Sequence, residues 1–214
     1  MTNSCLFFLF ISFISFCLYL FFLIFFFQGA DKTGRIDYAV HTSGARVIGI
    51  GNPAFTSATY LNPNTTVARK AARVLGLAVY HGPEELIKAN SGIGSCWPFS
   101  GSQGRVSIQL APFGQVIPKS ISIEHVPSSI AQSVLSAPRE AQIWGYQSQS
   151  DTEPMRLDKG DCSYEIRKST IQFCNLKPEI ENPINILQMR IMSNHGKEEY
   201  TCVYRLRVHG RLVQ

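Results

Sequence analysis

The chain has 214 residues, 45% hydrophobic and 16% charged, with a net charge of +5. That length fits one soluble domain, and basic residues this scattered exclude a polybasic nucleic-acid binder. Six cysteines without a CxxC or Cys/His spacing exclude a zinc site.

From Leu6 to Phe27 no residue is charged, and most of the chain's 14 phenylalanines fall there. The run is about 22 residues, roughly 33 Å as a helix, enough to cross a bilayer. Residues 1–30 therefore read as a hydrophobic transmembrane segment. A cleaved signal peptide fits less well, because the run is long and lacks a basic leader and a small-residue cleavage site. A translated pyrimidine-rich intron would also end as "FFFQG" does, so a gene-model artefact stays open as the alternative. Lys32 and Arg35 lie beyond the run and leave its orientation open under the charge rule.

The domain proper is read as residues 31–214. Ile36, Ala39 and Val40 have helical spacing, so a short N-terminal helix is predicted, with Gly44 as its stop. No Asp or Glu occurs between Asp37 and Glu84, whereas Arg46, Arg69, Lys70 and Arg73 do; the plain reading is a solvated loop. Residues 52 to 82 mix turn residues with Val74, Leu75, Leu77, Val79 and Tyr80, as an arm projecting from a sheet would. Asn64-Thr65-Thr66 is a glycosylation sequon. "EELIKANSGIGS" ends in a glycine-rich loop before Cys96.

Beyond it the pattern is β. Val106, Ile108 and Leu110 alternate, as do Ile121, Ile123 and His125. "AQIWGY", "CSYEI", "STIQFCNL" and "INILQMRIMSN" add strands between Pro/Ser/Gly/Asn clusters. Many short strands and one early helix predict an all-β, antiparallel β-sandwich. Cys162 and Cys174 flank what reads as a hairpin turning near Lys168, as a disulfide or as two buried thiols. In the closing "EYTCVYRLRVHG", Tyr200, Cys202, Tyr204, Leu206 and Val208 point one way, toward core or pocket. Thr201, Val203, Arg205, Arg207 and His209 point the other, toward solvent or a partner.

No enzyme is expected. The histidines His41, His81, His125, His195 and His209 form no HExxH pair, and no serine sits in a GxSxG elbow. "GIGNPA" from Gly49 fits a dinucleotide fingerprint in letters only, since Pro53 spoils the helix start and the later acid is missing. A redox role for Cys96 lacks a nearby resolving cysteine. Arg205, Arg207 and His209, without aromatic platforms, read as a solvated sheet edge rather than a nucleic-acid surface.

Five segments in order resemble one family: "DKTGRIDYAVHTSGA", "SCWPFSGSQG", "ISIEHVP", "SAPREAQIWGY" and "HGKEEYTCVYRLRVHG". Together they resemble the SUN domain of nuclear-envelope proteins, over about residues 31 to 210. The resemblance implies a β-sandwich that assembles as a homotrimer in the perinuclear lumen, anchored in the inner nuclear membrane. Its partner would be the C-terminal peptide of a KASH protein, so that the pair joins nucleus to cytoskeleton. A β-hairpin lid, here about residues 54–82, would clasp that peptide by strand addition, with Val74, Leu77 and Val79 as apolar contacts. His125, Ser136, Tyr200 and Tyr204 match the positions that line the pocket for the peptide's carboxylate and prolines. Cys96 would pair with Cys202. No cofactor is required beyond a monovalent cation, such as K+, held by backbone carbonyls near Asn90, Ser95 and Tyr204.

The chain departs from that pattern in three places, one being the cation loop "KANSGIGS", which matches in length more than in letters. Asn52 stands where members that cross-link the peptide carry a cysteine, so binding is expected to be noncovalent. No heptads lie between the apolar run and Asp31, so no coiled coil is expected to drive trimerisation. The alternative reading is a SUN-like protein of the endoplasmic reticulum or secretory pathway, acting in glycoprotein handling or carbohydrate binding.

Overall fold

A computed structural model of the chain describes residues 33–50, 52–61, 71, 74–75, 81–89, 92–110, 115–160 and 162–213. Two compact units divide at Arg35, and the second, Ile36–Gln214, carries all the described strands. These are β1 (Arg46–Ile48), β2 (Trp97–Ser100), β3 (Gly104–Gln109), β4 (Gln115–Glu124) and β5 (Pro138–Tyr146). They continue with β6 (Met155–Arg156), β7 (Ile171–Asn175), β8 (Ile186–Asn194), β9 (Tyr200–Val203) and β10 (Arg205–Val213).

All pairings between these strands are antiparallel. A five-stranded sheet runs β1-β3-β8-β5-β6, a three-stranded sheet runs β10-β4-β7, and β2 pairs with β9 alone. Period-two alternation explains why the larger sheets face each other. Val106 and Ile108, Ile143, and Leu187, Met189 and Ile191 come from the first sheet; Ile121, Ile123, Leu206 and Val208 come from the second. All belong to one buried cluster, which is the all-β sandwich expected from the pattern.

Several local expectations are corrected. Ile36, Ala39 and Val40 are not helical; only a short 3-10 turn, His41–Ser43, follows them. Gly44 does end that turn, at φ 97°, where a Cβ would be strained. The reason is that Ile36–Ala39 is used as an edging for β10. Tyr38 N–H donates to the Val208 carbonyl (2.9 Å), and the Asp37 carboxylate accepts from the Val208 and Ala39 N–H groups.

"CSYEI" is not a strand either, and no two-stranded hairpin joins it to β7. Ser163 makes one bridge to Glu140 of β5, while β7 pairs with β4. The neighbouring gap on β5 is closed by a side chain: Ile143 N–H donates to the buried Asp158 carboxylate (2.7 Å), which Arg156 and Gly160 N–H also hold. Cys162 and Cys174 are disulfide-bonded, their Cα atoms 5.1 Å apart.

The basic row on β10 is the largest correction. Arg205 and Arg207 are only 2% and 4% exposed, not on a solvated edge. Arg205 pairs with Asp37 at 2.6 Å and Arg207 with Glu124 at 2.5 Å. His209 is buried too, bonding Ser122 Oγ (3.0 Å) and the Ile36 carbonyl (2.9 Å). Guanidinium groups can leave water here because each meets a carboxylate supplied by another segment.

In the expected arm, Leu75 N–H donates to the Ala71 carbonyl (3.0 Å), a helical turn rather than a hairpin strand at that point. Alanine and arginine around it favour helix intrinsically. Leu77, Val79 and Asn64 lie outside the described residues, as do residues 1–32, where the membrane span is expected. Among the described residues no helix is long and apolar enough to cross a membrane.

Candidate functional site

β4 ends at Glu124 and delivers His125 beside the junction between β9 and β10. His125 N–H donates to the Thr170 carbonyl (3.0 Å), which fixes the backbone. The ring is 3% exposed. It makes an edge contact with Tyr204 (4.7 Å between centroids, 73°) and a tilted contact with Tyr164 (6.0 Å). Its Nδ1 lies 3.0 Å from the Val126 carbonyl, which selects the tautomer with the proton on Nδ1. Its Nε2 is buried with no hydrogen-bond partner.

Burial lowers the His125 pKa below the ordinary 6.5; the Val126 carbonyl opposes this and His195 adds to it. The ring is therefore neutral near pH 7, and Nε2 is an acceptor waiting for a donor, or for a proton to share with an acid. Tyr164 stays neutral as well, since burial, with Glu124 adding, pushes its pKa up to about 12.

Cys96 and Cys202 are joined by a disulfide with a Cα separation of 5.6 Å, within the usual range. Together with Tyr204 they form a small buried cluster on which Val126 and Tyr200 pack. In the register of β2 with β9, Trp97 faces Val203 and Pro98 faces Cys202, so the cross-link ties the start of β2 to the strand opposite. Tyr204 also hydrogen-bonds the backbone at Gly94, while burial raises its pKa. Gly94 has φ +82°, which lets residues 92–95 close as a tight turn with Ser95 N–H on the Gly92 carbonyl (3.1 Å).

Ser136 closes the 3-10 turn Val134–Ser136, which packs on β9. Its hydroxyl donates to the Ser133 carbonyl (2.9 Å), so its donor is engaged and its lone pairs remain as acceptors. The turn is held to the loop before β9 by His195 N–H on the Ala137 carbonyl and Lys197 N–H on the Leu135 carbonyl, both 3.2 Å. The structure thus brings His125, Tyr204 and Tyr200 into one cluster and Ser136 to a turn that packs on β9. Val74 is 88% exposed on the helical turn of the arm.

Three residues at this site are not singled out by the sequence. Tyr60 stacks on Tyr200 (5.2 Å, 23°), placed by its N–H on the Pro98 carbonyl (2.8 Å). Lys197 Nζ lies 5.0 Å from the Tyr200 ring centre. Tyr164 backs His125. The one local signal is the aromatic residue in "SATYL", early in the arm, but nothing nearby names its partner.

Among the described residues no group of three His, Cys, Asp or Glu could hold a metal ion. The expected monovalent cation would need backbone carbonyls instead. The turn at residues 92–95 presents such groups, though the Gly92 carbonyl already accepts from Ser95, and Asn90 lies outside the described residues. The cluster offers a buried imidazole acceptor, phenol hydroxyls and aromatic faces, groups that can hydrogen-bond and pack on a ligand.

Residues 78–212 match the family model described as Sad1 / UNC-like C-terminal. The chain is 34% identical over 189 residues to the nuclear migration and anchoring protein unc-84 of Caenorhabditis elegans, covering 86% of this chain and 16% of that protein. It is 34% identical over 187 residues to SUN domain-containing protein 3 of Mus musculus, covering 86% and 55%. SUN domain-containing protein 2 of Arabidopsis thaliana is 33% identical over 186 residues, covering 85% and 38%. The chain therefore spans little more than half of these relatives' own length at most.

Among solved structures, it resembles a family 32 carbohydrate-binding module from Streptococcus pneumoniae EndoD (TM-score 0.52, 13% identity, 82% of this chain and all of that one). A putative chitobiase fragment from Bacteroides thetaiotaomicron is similar (TM-score 0.56, 11% identity, 84% and 94%). Identities this low show the sandwich fold alone.

Proposed function

This chain belongs to the Sad1/UNC-like family, and we propose that it acts there as a non-enzymatic adaptor that grips the C-terminal tail of a KASH protein. The observation that carries this reading is His125. A buried ring nitrogen without a partner is costly, and a ligand carboxylic acid or carboxylate meeting a protonated ring would remove that cost. Tyr204 and Tyr200 would pack on the ligand's proline rings, and the lone pairs of Ser136 would accept an amide N–H. The exposed Val74, with Leu77 and Val79 in the same arm, would close over the peptide. Apolar side chains standing in water on a projecting segment gain most from such a cover.

In this reading the chain works as a homotrimer at the nuclear envelope, anchored in the inner membrane with the domain in the perinuclear lumen. The worm relative is a nuclear migration and anchoring protein, and the same task is proposed for this chain. A monovalent cation, such as K+, held by backbone oxygens near Asn90, Ser95 and Tyr204, would stiffen the loop beside Tyr204.

The test is titration of the oxidised full chain, kept in detergent for its apolar first 30 residues, with a fluorescent proline-rich peptide ending in a free carboxylate. Binding that weakens at least tenfold on C-terminal amidation, about 1.4 kcal/mol, supports the reading. Equal affinity for both peptides, or none for either, overturns it.

A further inference from the structure

Lys197 is held more firmly than an exposed loop lysine needs to be. Its carbonyl accepts from Asn194 Nδ2 (2.6 Å) and its N–H donates to the Leu135 carbonyl (3.2 Å). The Asn194 Oδ1 takes the Gly196 N–H (2.9 Å), so the turn before β9 is pinned on both sides. The Lys197 side chain is 25% exposed, and its ammonium lies over the Tyr200 ring. Tyr60 stacks on that ring, so the lysine and two tyrosines make one platform at the base of the arm.

The partner of this ammonium is weak. Glu199 Oε2 lies 3.1 Å away, but its side chain is 60% exposed. An ion pair that open to water contributes little and exchanges easily. Glu198 is exposed as well, so both acids are screened by solvent more than the half-covered lysine is. A ligand acid arriving over Tyr200 would therefore meet a cation free to change partners. The Lys197 pKa is raised by the hydrogen bond to Glu199, with the two tyrosines contributing, so the charge is present at neutral pH.

We infer that Lys197 selects ligands carrying an acidic side chain about four residues before their C-terminus, with the Tyr60–Tyr200 stack as the surface on which that residue lies. This rests on the proposed carboxylate pocket. The position follows from chain geometry. Tyr200 and Tyr204 are four residues apart on extended chain, about 13 Å. A ligand extended alongside, with its carboxylate at His125 and Tyr204, brings a residue about four places upstream to Tyr200 and Lys197.

The experiment uses three peptides with a free C-terminal carboxylate that differ only in Glu, Gln or Lys at the fourth residue before the end. They are titrated against the oxidised full chain and its Lys197→Met, Lys197→Glu and Glu199→Gln variants. Wild type should prefer the Glu peptide over the Lys peptide by roughly fivefold to tenfold, and Lys197→Met should shrink that ratio to within about twofold. Lys197→Glu should reverse it, and Glu199→Gln should tighten the Glu peptide by removing its competitor. A merely structural lysine would weaken all three peptides alike in Lys197→Met and leave their ratio unchanged, which overturns the inference. Equal binding of the three peptides by wild type overturns it too, with the pocket reading intact. Failure of wild type to bind any of them overturns the pocket reading, and the selection with it.

Discussion

The closing strands and the arm are written in similar letters, basic residues set among apolar ones, yet they meet opposite fates. In β10, Arg205 and Arg207 are buried with their apolar neighbours. In the arm, the described Val74 and Leu75 stand in solvent. The difference is the supply of acid. Arg205 and Arg207 receive Asp37 and Glu124 from distant segments, whereas the arm lies in a stretch with no Asp or Glu from residue 38 to 83. A cation without a carboxylate cannot leave water cheaply, so Asp37 and Glu124 are what admit Arg205 and Arg207 to the interior.

The largest way to break the comparison is to cut the brace behind the pocket. Cys96 and Cys202 are 106 residues apart, and Cys162 and Cys174 only 12. In the loop-entropy model the first bond is worth about 4.7 kcal/mol and the second about 3. Replacing both cysteines of a pair with alanine should therefore cost roughly 2 kcal/mol more for Cys96–Cys202, read from urea midpoints under oxidising conditions. Equal losses would mean that loop length does not set how far each cross-link constrains the unfolded chain.

Next in size is the buried ion pair itself. Asp37→Ala would leave Arg205 charged and enclosed, and would also free the Val208 N–H that Asp37 accepts. The expected loss is about 3–5 kcal/mol. A loss under about 1 kcal/mol would show that water reaches the guanidinium, and that β10 resembles the arm after all.

How much of the molecule is legible in its sequence follows the same division. Alternation marks β3, β4, β5, β7, β8 and the β9–β10 pair, because strand faces are set by neighbours two residues away. The motif order also carries the family. The buried arginines escape such a reading because their acids lie 168 and 83 residues away, and a period-two pattern assigns charge to the outside by default. "CSYEI" is cut to a single bridge: the Cys162 carbonyl accepts from Ala141 N–H and Tyr164 N–H donates to the Arg139 carbonyl. Farther along β5, however, the Ile143 N–H goes to the Asp158 side chain, which no pattern reveals. At the candidate site, His125 and Tyr204 are legible through the motifs, but Tyr60 and Lys197 join it only through contacts with the Tyr200 ring that folding creates.

A smaller effect separates the stability of the pocket from its use. Burial depresses the His125 pKa, with Tyr204, Tyr164 and His195 facing the ring. The folded state then binds fewer protons than the unfolded one. This contribution to stability is full above the unfolded value near 6.5 and is lost as the pH falls toward the lower folded value. Wild type should lose stability between pH 7 and 5 more steeply than His125→Gln. A ligand carboxylate raises the same pKa, so affinity should run the other way, tightening as the pH falls, and should lose that slope in His125→Gln. Parallel slopes for stability and affinity would exclude an acid bound at this ring.

The smallest change in stability is expected at Val74. It is the most exposed of the large apolar residues described, so Val74→Asp removes no buried surface and should shift the urea midpoint by no more than about 0.5 kcal/mol. Affinity for the free-carboxylate peptide should nevertheless fall, by roughly tenfold if the side chain is covered on binding. Asp37→Ala, by contrast, should damage folding and, through folding, everything else, whereas Val74→Asp should leave the sandwich intact and injure only the grip. If Val74→Asp binds the peptide as wild type does, the arm does not close over the ligand at this residue, and the apolar groups it shows to solvent serve another contact.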